Sequence, residues 1–432
     1  MVTRIKVWMI RIRDSFWFVP AIYSFISLIL AVVFHHVDEW MVGEGNYKLP
    51  RMLVISDEIA RGLYTSLVTA ILTMTTISFS VIMVVLTTYS SQFSPRTLQD
   101  FMQSKVTHHV LGVFCFGFMF ALINLVLIGT HDTIIGPILM VIISIFCLAF
   151  FIYFIHHAAR WLQVSSLIEY IHYDSSRVIK DFFNKKEFGE FEMWDESELR
   201  RLKRLPHHVL QAKNAGYIQK IEWQSLVNWA RLNDCVIDLR QQIGDYVTKD
   251  LPIVTVYSAY DSLELEPIRE YIIIGSERTD LEDIEFNIQK LVEIAVKAVS
   301  PSINDPDTAT DCINRIGSVL TDLGNGFKEI PYLTDKKNDL RVIRKTKPYE
   351  NYLYKSFYQI LYYGKEDVSI CYSLLEVLYK MSISSKDYAI RRKIWAFHYY
   401  IVNSIDWDSL QDLDRQHVES IYRKLKEVSR KI

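Results

Sequence analysis

Four stretches of the chain, residues 16–34, 63–89, 110–128 and 133–155, run without Asp, Glu, Lys or Arg. Each has about 19 residues or more, and a helix rising 1.5 Å per residue then spans roughly 30 Å of hydrocarbon. The pattern therefore predicts four transmembrane helices. No small-residue cleavage site follows the first, so it reads as a retained span rather than a signal. Trp17, Trp40 and Trp161 fall near span ends, where indoles favour the membrane interface. Residues 129–132 make a short turn, so spans three and four are expected as an antiparallel hairpin.

The second span differs from the rest. Placed on a wheel of about 100° per residue, Gly62, Thr65, Thr69, Thr73, Thr76, Ser80 and Thr87 share an arc of about 80°. Prolonging the helix adds Glu58 at one end and Ser91 at the other. A hydroxyl stripe along a whole span either avoids lipid or bonds back to its own helix. Two readings follow. The stripe is a packing surface where small residues let helices approach, or it lines a water-filled pore, one helix from each subunit of a homo-oligomer. Glu58, Ser91 and Arg96 would then stand at the pore mouths. For Arg96, which follows Ser94-Pro95, an ordinary headgroup anchor is the competing reading.

Beyond residue 161 hydropathy falls and the period changes. Strands are expected at 207–211, 216–222, 235–240 and 253–257, with a short helix at 223–232 and a turn at Gly244-Asp245. That order suggests a small β-barrel-like module. A mainly helical stretch follows at 265–324. It includes a helix at 281–299, with Asp280 as its expected N-cap and Asp283 in the third position. Four more helices are expected near 349–363, 367–381, 386–404 and 409–431. The fold class is thus a membrane α-helical domain at 1–160, an α+β domain at 161–330 and a C-terminal helical bundle at 331–432.

Composition sharpens this picture. Half of the 432 residues are apolar, yet mean hydropathy is only +0.11, as expected of a membrane part joined to a soluble part. The net charge of −2 argues against nucleic acid as a partner. Cys115, Cys147, Cys235, Cys312 and Cys371 show neither CxxC nor His at ligand spacing and read as reduced thiols. No acid or base lies within the four apolar stretches, which disfavours ion-coupled transport and leaves a weakly selective pore. Lys and Arg in the short loops point to an inner-membrane protein with both termini cytoplasmic.

The most distinctive string is Ser300-Pro301-Ser302-Ile303-Asn304-Asp305-Pro306-Asp307. Pro301 ends one helix, and Asp305 is placed to cap the next, with Pro306 at its first position. Asn304, Asp305 and Asp307 are also the candidate regulatory or ligand loop, for an ion or a small ligand. They are too few for a cation cage, and no nucleophile, base or phosphate cradle lies nearby, so neither a metal, a cofactor nor an enzyme is expected.

Several strings together resemble a broadly distributed bacterial family of predicted membrane proteins catalogued as a domain of unknown function. They are the Ser/Thr-rich second span running into Ser91-Gln92-Phe93-Ser94-Pro95-Arg96, Gly216-Tyr217, Gly244-Asp245-Tyr246-Val247, Gly275-Ser276-Glu277-Arg278-Thr279 and the 300–306 string. Ser302 stands where the family commonly has Gly. The resemblance implies the architecture and no activity. The expectation is a homo-oligomeric, weakly selective channel assembled or gated by its soluble domain. A membrane-tethered regulatory or scaffold protein, binding a partner or small ligand, is the alternative.

Overall fold

The structure, a computed structural model, describes residues 17–43, 55–92, 97, 101–102, 104–128, 135–183, 188–260, 263–279 and 283–429. Its contacts separate two compact units, Met1–Ser166 and Leu167–Ile432.

The first unit is built from α1 (Phe18–Gly43), α2 (Asp57–Gln92), α3 (Lys105–Leu127) and α4 (Ile135–Trp161). All four are long and apolar enough to cross a membrane. They extend beyond the apolar stretches because polar residues, such as Glu58 and Arg61 on α2 and His108 and His109 on α3, continue the helices at their ends. α3 is the central helix, touching the other three. Two glycines allow this. A Cβ on Gly112 would stand 3.0 Å from the Tyr23 ring of α1, and one on Gly117 would stand 2.8 Å from Cys147 Sγ of α4. Ser27 donates to the Phe116 carbonyl at 2.8 Å, so a buried hydroxyl also joins α1 to α3. At one end of the bundle Tyr23 meets His109, Ser104 meets His157, and Tyr89 donates to the Trp161 carbonyl. The starts of α1 and α3 therefore lie with the ends of α2 and α4, so the helices alternate in direction.

The second unit opens with α5 (Val164–Phe183), most of which lies beyond the division; Ser176 of α5 donates to Asp322. Then follow β1 (Gly189–Phe191), α6 (Glu196–Leu202), β2 (His207–Gln211), β3 (Gly216–Ile221), α7 (Trp223–Leu232), β4 (Val236–Leu239), β5 (Tyr246–Val247), β6 (Pro252–Tyr257), α8 (Glu266–Glu270) and β7 (Ile272–Gly275). The rest is α9 (Ile284–Ala298), α10 (Pro306–Gly326), β8 (Tyr332–Thr334), β9 (Leu340–Ile343), α11 (Tyr349–Gly364), α12 (Val368–Ser384), α13 (Tyr388–Val402) and α14 (Asp412–Ser429).

The strands form a six-stranded sheet, β1-β8-β9-β4-β6-β2, and a three-stranded one, β5-β3-β7. The barrel-like module expected from sequence is corrected: among the described strands neither sheet closes, and β1 and β2 are the edges of the larger one. Two of its strands come from residues 332–343, and β9 pairs in parallel with β4. The sheet thus runs past residue 330, where the C-terminal bundle was expected to begin. Leu210, Ile237, Leu239, Val254, Val256 and Val342 turn one face of the sheet into a core shared with α7 and with Ile218, Ile221 and Ile272 of the small sheet. α10 packs between α9 and α12, and α12 carries α13 and α14. Gly317 sets the α10–α12 approach, since a Cβ there would meet Val377 at 2.0 Å.

Candidate functional site

In α2 the residues that pack inward are Ala60, Tyr64, Ile71, Ser78, Ile82, Val85 and Tyr89. They turn towards α3 and α4. On a wheel of about 100° per residue their centre lies roughly opposite the hydroxyl arc. Thr65, Thr69, Thr73, Thr76, Ser80 and Thr87 are accordingly all exposed on the outside of the unit, as are Gly62 and Glu58. A Cβ added to Gly62 would meet nothing within 4 Å. Ser91 lies in the last turn of the helix, but its side chain, and all of Arg96, lie outside the described residues.

Every one of these hydroxyls bonds back along its own helix. Thr65 donates to the Arg61 carbonyl, Thr69 to Thr65, Thr73 to Thr69, Thr76 to Leu72 and Ser80 to Thr76, at 2.8–3.0 Å. Thr87 donates to Met83 and Val84. The donor is spent inward and the oxygen lone pairs remain outward. Chemically the stripe is a row of neutral acceptors, suited to water, to a cation or to donors of another helix.

In the second unit several of the distinctive strings converge. Gly244 adopts φ +88°, a backbone that L-residues rarely take, and a Cβ on it would stand 2.3 Å from Asp283 Oδ2. Arg278 donates through Nε and Nη2 to that same oxygen, at 2.9 and 2.6 Å. The other oxygen, Oδ1, accepts from Phe286 N and caps α9. Asp283 is therefore the N-cap, three residues later than the expected Asp280, which lies outside the described residues. Gly275 and Gly216 are in contact nearby: a Cβ on Gly216 would meet the Gly275 carbonyl oxygen at 2.5 Å.

Glu285, in the first turn of α9, extends this network to Lys347 and to Lys355 of α11, each at 2.8 Å. Burial opposes ionisation of Glu285, but the two ammonium groups outweigh it and hold the carboxyl at about 2. At Asp283 burial prevails, and its carboxyl is pushed above the ordinary range against the pull of Arg278. The role of these residues was not visible in the sequence. The strings that contain Gly244 and Arg278 stood out only as a resemblance, 34 positions apart.

The 300–307 loop is a helix–helix corner. Asn304 takes φ +50°, and its N–H donates to the Ser300 carbonyl, while Asp305 N donates to Ala298. Both carboxylate oxygens of Asp305 are used by Thr308, one by its N–H at 3.0 Å and one by its hydroxyl at 2.6 Å. These hydrogen bonds hold the Asp305 carboxyl below its usual value. Asn304 and Asp307 are exposed. The local geometry is that of a cap, and among the described residues no cluster of three His, Cys, Asp or Glu is placed to hold a metal ion.

A family model described as a predicted membrane protein, DUF2254, matches residues 13–380. The chain belongs to the DUF2254 family. Curated relatives include an uncharacterized protein of Mycobacterium tuberculosis (strain CDC 1551 / Oshkosh) and one of Mycobacterium bovis (strain ATCC BAA-935 / AF2122/97). Each is 24% identical over 339 residues, covering 74% of this chain and 63% of the relative. This DUF2254 chain thus matches less than two thirds of their length. No solved structure matches it.

Proposed function

We propose that this DUF2254 protein is a homo-oligomeric, weakly selective channel of the inner membrane, with both termini and its second unit on the cytoplasmic side. The observation that carries the reading is the outward hydroxyl row. Thr65, Thr69, Thr73, Thr76, Ser80 and Thr87 occupy the face of α2 opposite its packing on α3 and α4, so copies of the chain can bring these rows to a common axis. Neutral acceptor oxygens solvate ions without strong binding, which suits passive conduction with little selectivity. Glu58 marks one mouth. The second unit assembles or gates the pore, and no catalytic role is assigned to it.

The back-bonding of the hydroxyls favours a second reading. With every donor satisfied inside the helix, the row tolerates lipid or a helix partner without water, and the four helices act only as a tether for a regulatory or scaffold domain. Planar-bilayer recording separates the two. The channel reading predicts unitary conductance from purified wild type and an altered conductance in a Thr76→Val/Ser80→Ala variant. Silence of both proteins refutes it and leaves the tether.

A further inference from the structure

The face of the six-stranded sheet opposite Leu210, Ile237, Val254 and Val256 carries Thr255 and Tyr257, both buried. On that face the register sets His207 opposite Tyr257, and Val209 and Asp238 on either side of Thr255; Arg240 follows two residues beyond Asp238, on the same side. Lys203, just after α6, lines with His207, Arg240, Thr255 and Tyr257 a cleft of about 610 Å³, with Val209, Leu251 and Pro252 as its apolar flank. That volume lies within the range of small-molecule sites.

We propose that this cleft binds a phosphate-bearing ligand. Three observations carry the assignment. First, Arg240 is fixed in advance: its Nε donates to Thr255 Oγ1 at 3.0 Å, its Nη2 lies 3.5 Å from the Tyr257 hydroxyl, and Nη1 has no partner among the described residues. A guanidinium held by neutral hydroxyls keeps its charge and presents an open donor edge of the kind that phosphate oxygens accept from. Second, the nearby acid does not neutralise the cleft. Asp238 stands 3.6 Å from Arg240 Nη2 and is the sole carboxylate among the named groups, against the cations of Arg240 and Lys203. Burial raises its carboxyl above the ordinary range, against the pull of Arg240 and Lys203. Third, Lys203 makes no ion pair among the described residues, although it follows a run containing Arg200 and Arg201, so its ammonium is available. His207, its ring tilted 51° to that of Tyr257 with ring centres 6.2 Å apart, completes the polar rim. The inference is independent of whether the membrane helices conduct.

Two sources share this chemistry, a soluble phosphate ester and a phospholipid headgroup. Full-length protein in a zwitterionic detergent is titrated with inorganic phosphate and with adenosine monophosphate by calorimetry. In parallel, its soluble-face binding is followed on vesicles of phosphatidylcholine with and without phosphatidylglycerol. Saturable binding of phosphate or the nucleotide, at least tenfold weaker in Arg240→Gln and weaker in Lys203→Gln but restored in Lys203→Arg, supports a soluble ligand. The same losses confined to phosphatidylglycerol vesicles support a headgroup. Asp238→Asn is expected to bind more tightly in either case. Because Lys203 is exposed, its variants keep the test independent of folding. Absence of binding to all probes, or binding that ignores both Arg240→Gln and Lys203→Gln, overturns the assignment.

Discussion

Replacing Gly244 by Ala probes the buried network most sharply, because a single methyl group meets both of its partners. At φ +88° the alanine backbone is strained by about 1–2 kcal/mol. The new Cβ also falls 2.3 Å from Asp283 Oδ2 and 2.8 Å from Arg278 Nη2, so the carboxylate has to move. Asp283 is only 4% exposed and cannot swing into water without giving up the α9 cap. Breaking a buried pair outright costs about 3–5 kcal/mol, and a displaced but surviving pair costs part of that. The expected loss is about 2–5 kcal/mol, or about 5–15 °C in the midpoint of a unit this size. Thermal unfolding of the full chain in detergent, followed by tryptophan fluorescence, measures it. Coupling is also expected: in an Asp283→Ala background the clash with the carboxylate vanishes, leaving the backbone strain and the approach to Arg278 Nη2. A midpoint lowered by less than about 1 °C, or equal losses in both backgrounds, would refute it.

Other outcomes follow from the same geometry. Glu285 is held at about 2, below the roughly 4.5 of an unpaired Glu, so it contributes up to about 3 kcal/mol above that unfolded value. That contribution is lost as pH falls from about 4.5 towards 2, while Asp283, shifted the other way, partly offsets it. The stability gap between wild type and Glu285→Gln should therefore narrow below about pH 4 in pH-dependent unfolding. Burial pushes the thiols of Cys235 and Cys371 up to about 12 and about 11. Iodoacetamide at about pH 8 should leave both unmodified in the native protein and label them after denaturation, as read by mass spectrometry. Gly117→Leu should separate α3 from α4, whose Cys147 and Ile143 leave no space for a side chain, and lower the detergent-solubilised midpoint by several degrees. An unchanged midpoint would mean that the two helices do not meet there.

What the sequence discloses depends on how local each feature is. Asp305 and Pro306 were readable as a helix start because cap, proline and helix lie within a few residues. Asp283 was not separable from Asp280, since both acids precede the same apolar run and the choice rests on where Gly244 and Arg278 place their atoms. The hydroxyl row on α2 was visible because its period is that of the helix. Its outward direction was not, because that depends on Tyr64, Ile71 and Ile82 finding α3 and α4. The barrel expectation failed for a related reason. β9 pairs with β4 across about a hundred residues and brings β8 with it, and short strands at such separations leave no periodic trace. The cleft lined by Lys203 draws on α6, β2, β4 and β6, and no window of sequence holds them together.

A channel of this kind requires that the outward hydroxyl row of α2 face water. The direct measurement is conductance of Thr76→Cys protein in planar bilayers, before and after a membrane-impermeant, positively charged thiol reagent, with wild type as control for the native cysteines. A water-filled conduit predicts steady currents that the reagent largely blocks in the variant and leaves unchanged in wild type. Currents indifferent to the reagent, or none in either protein, would contradict it.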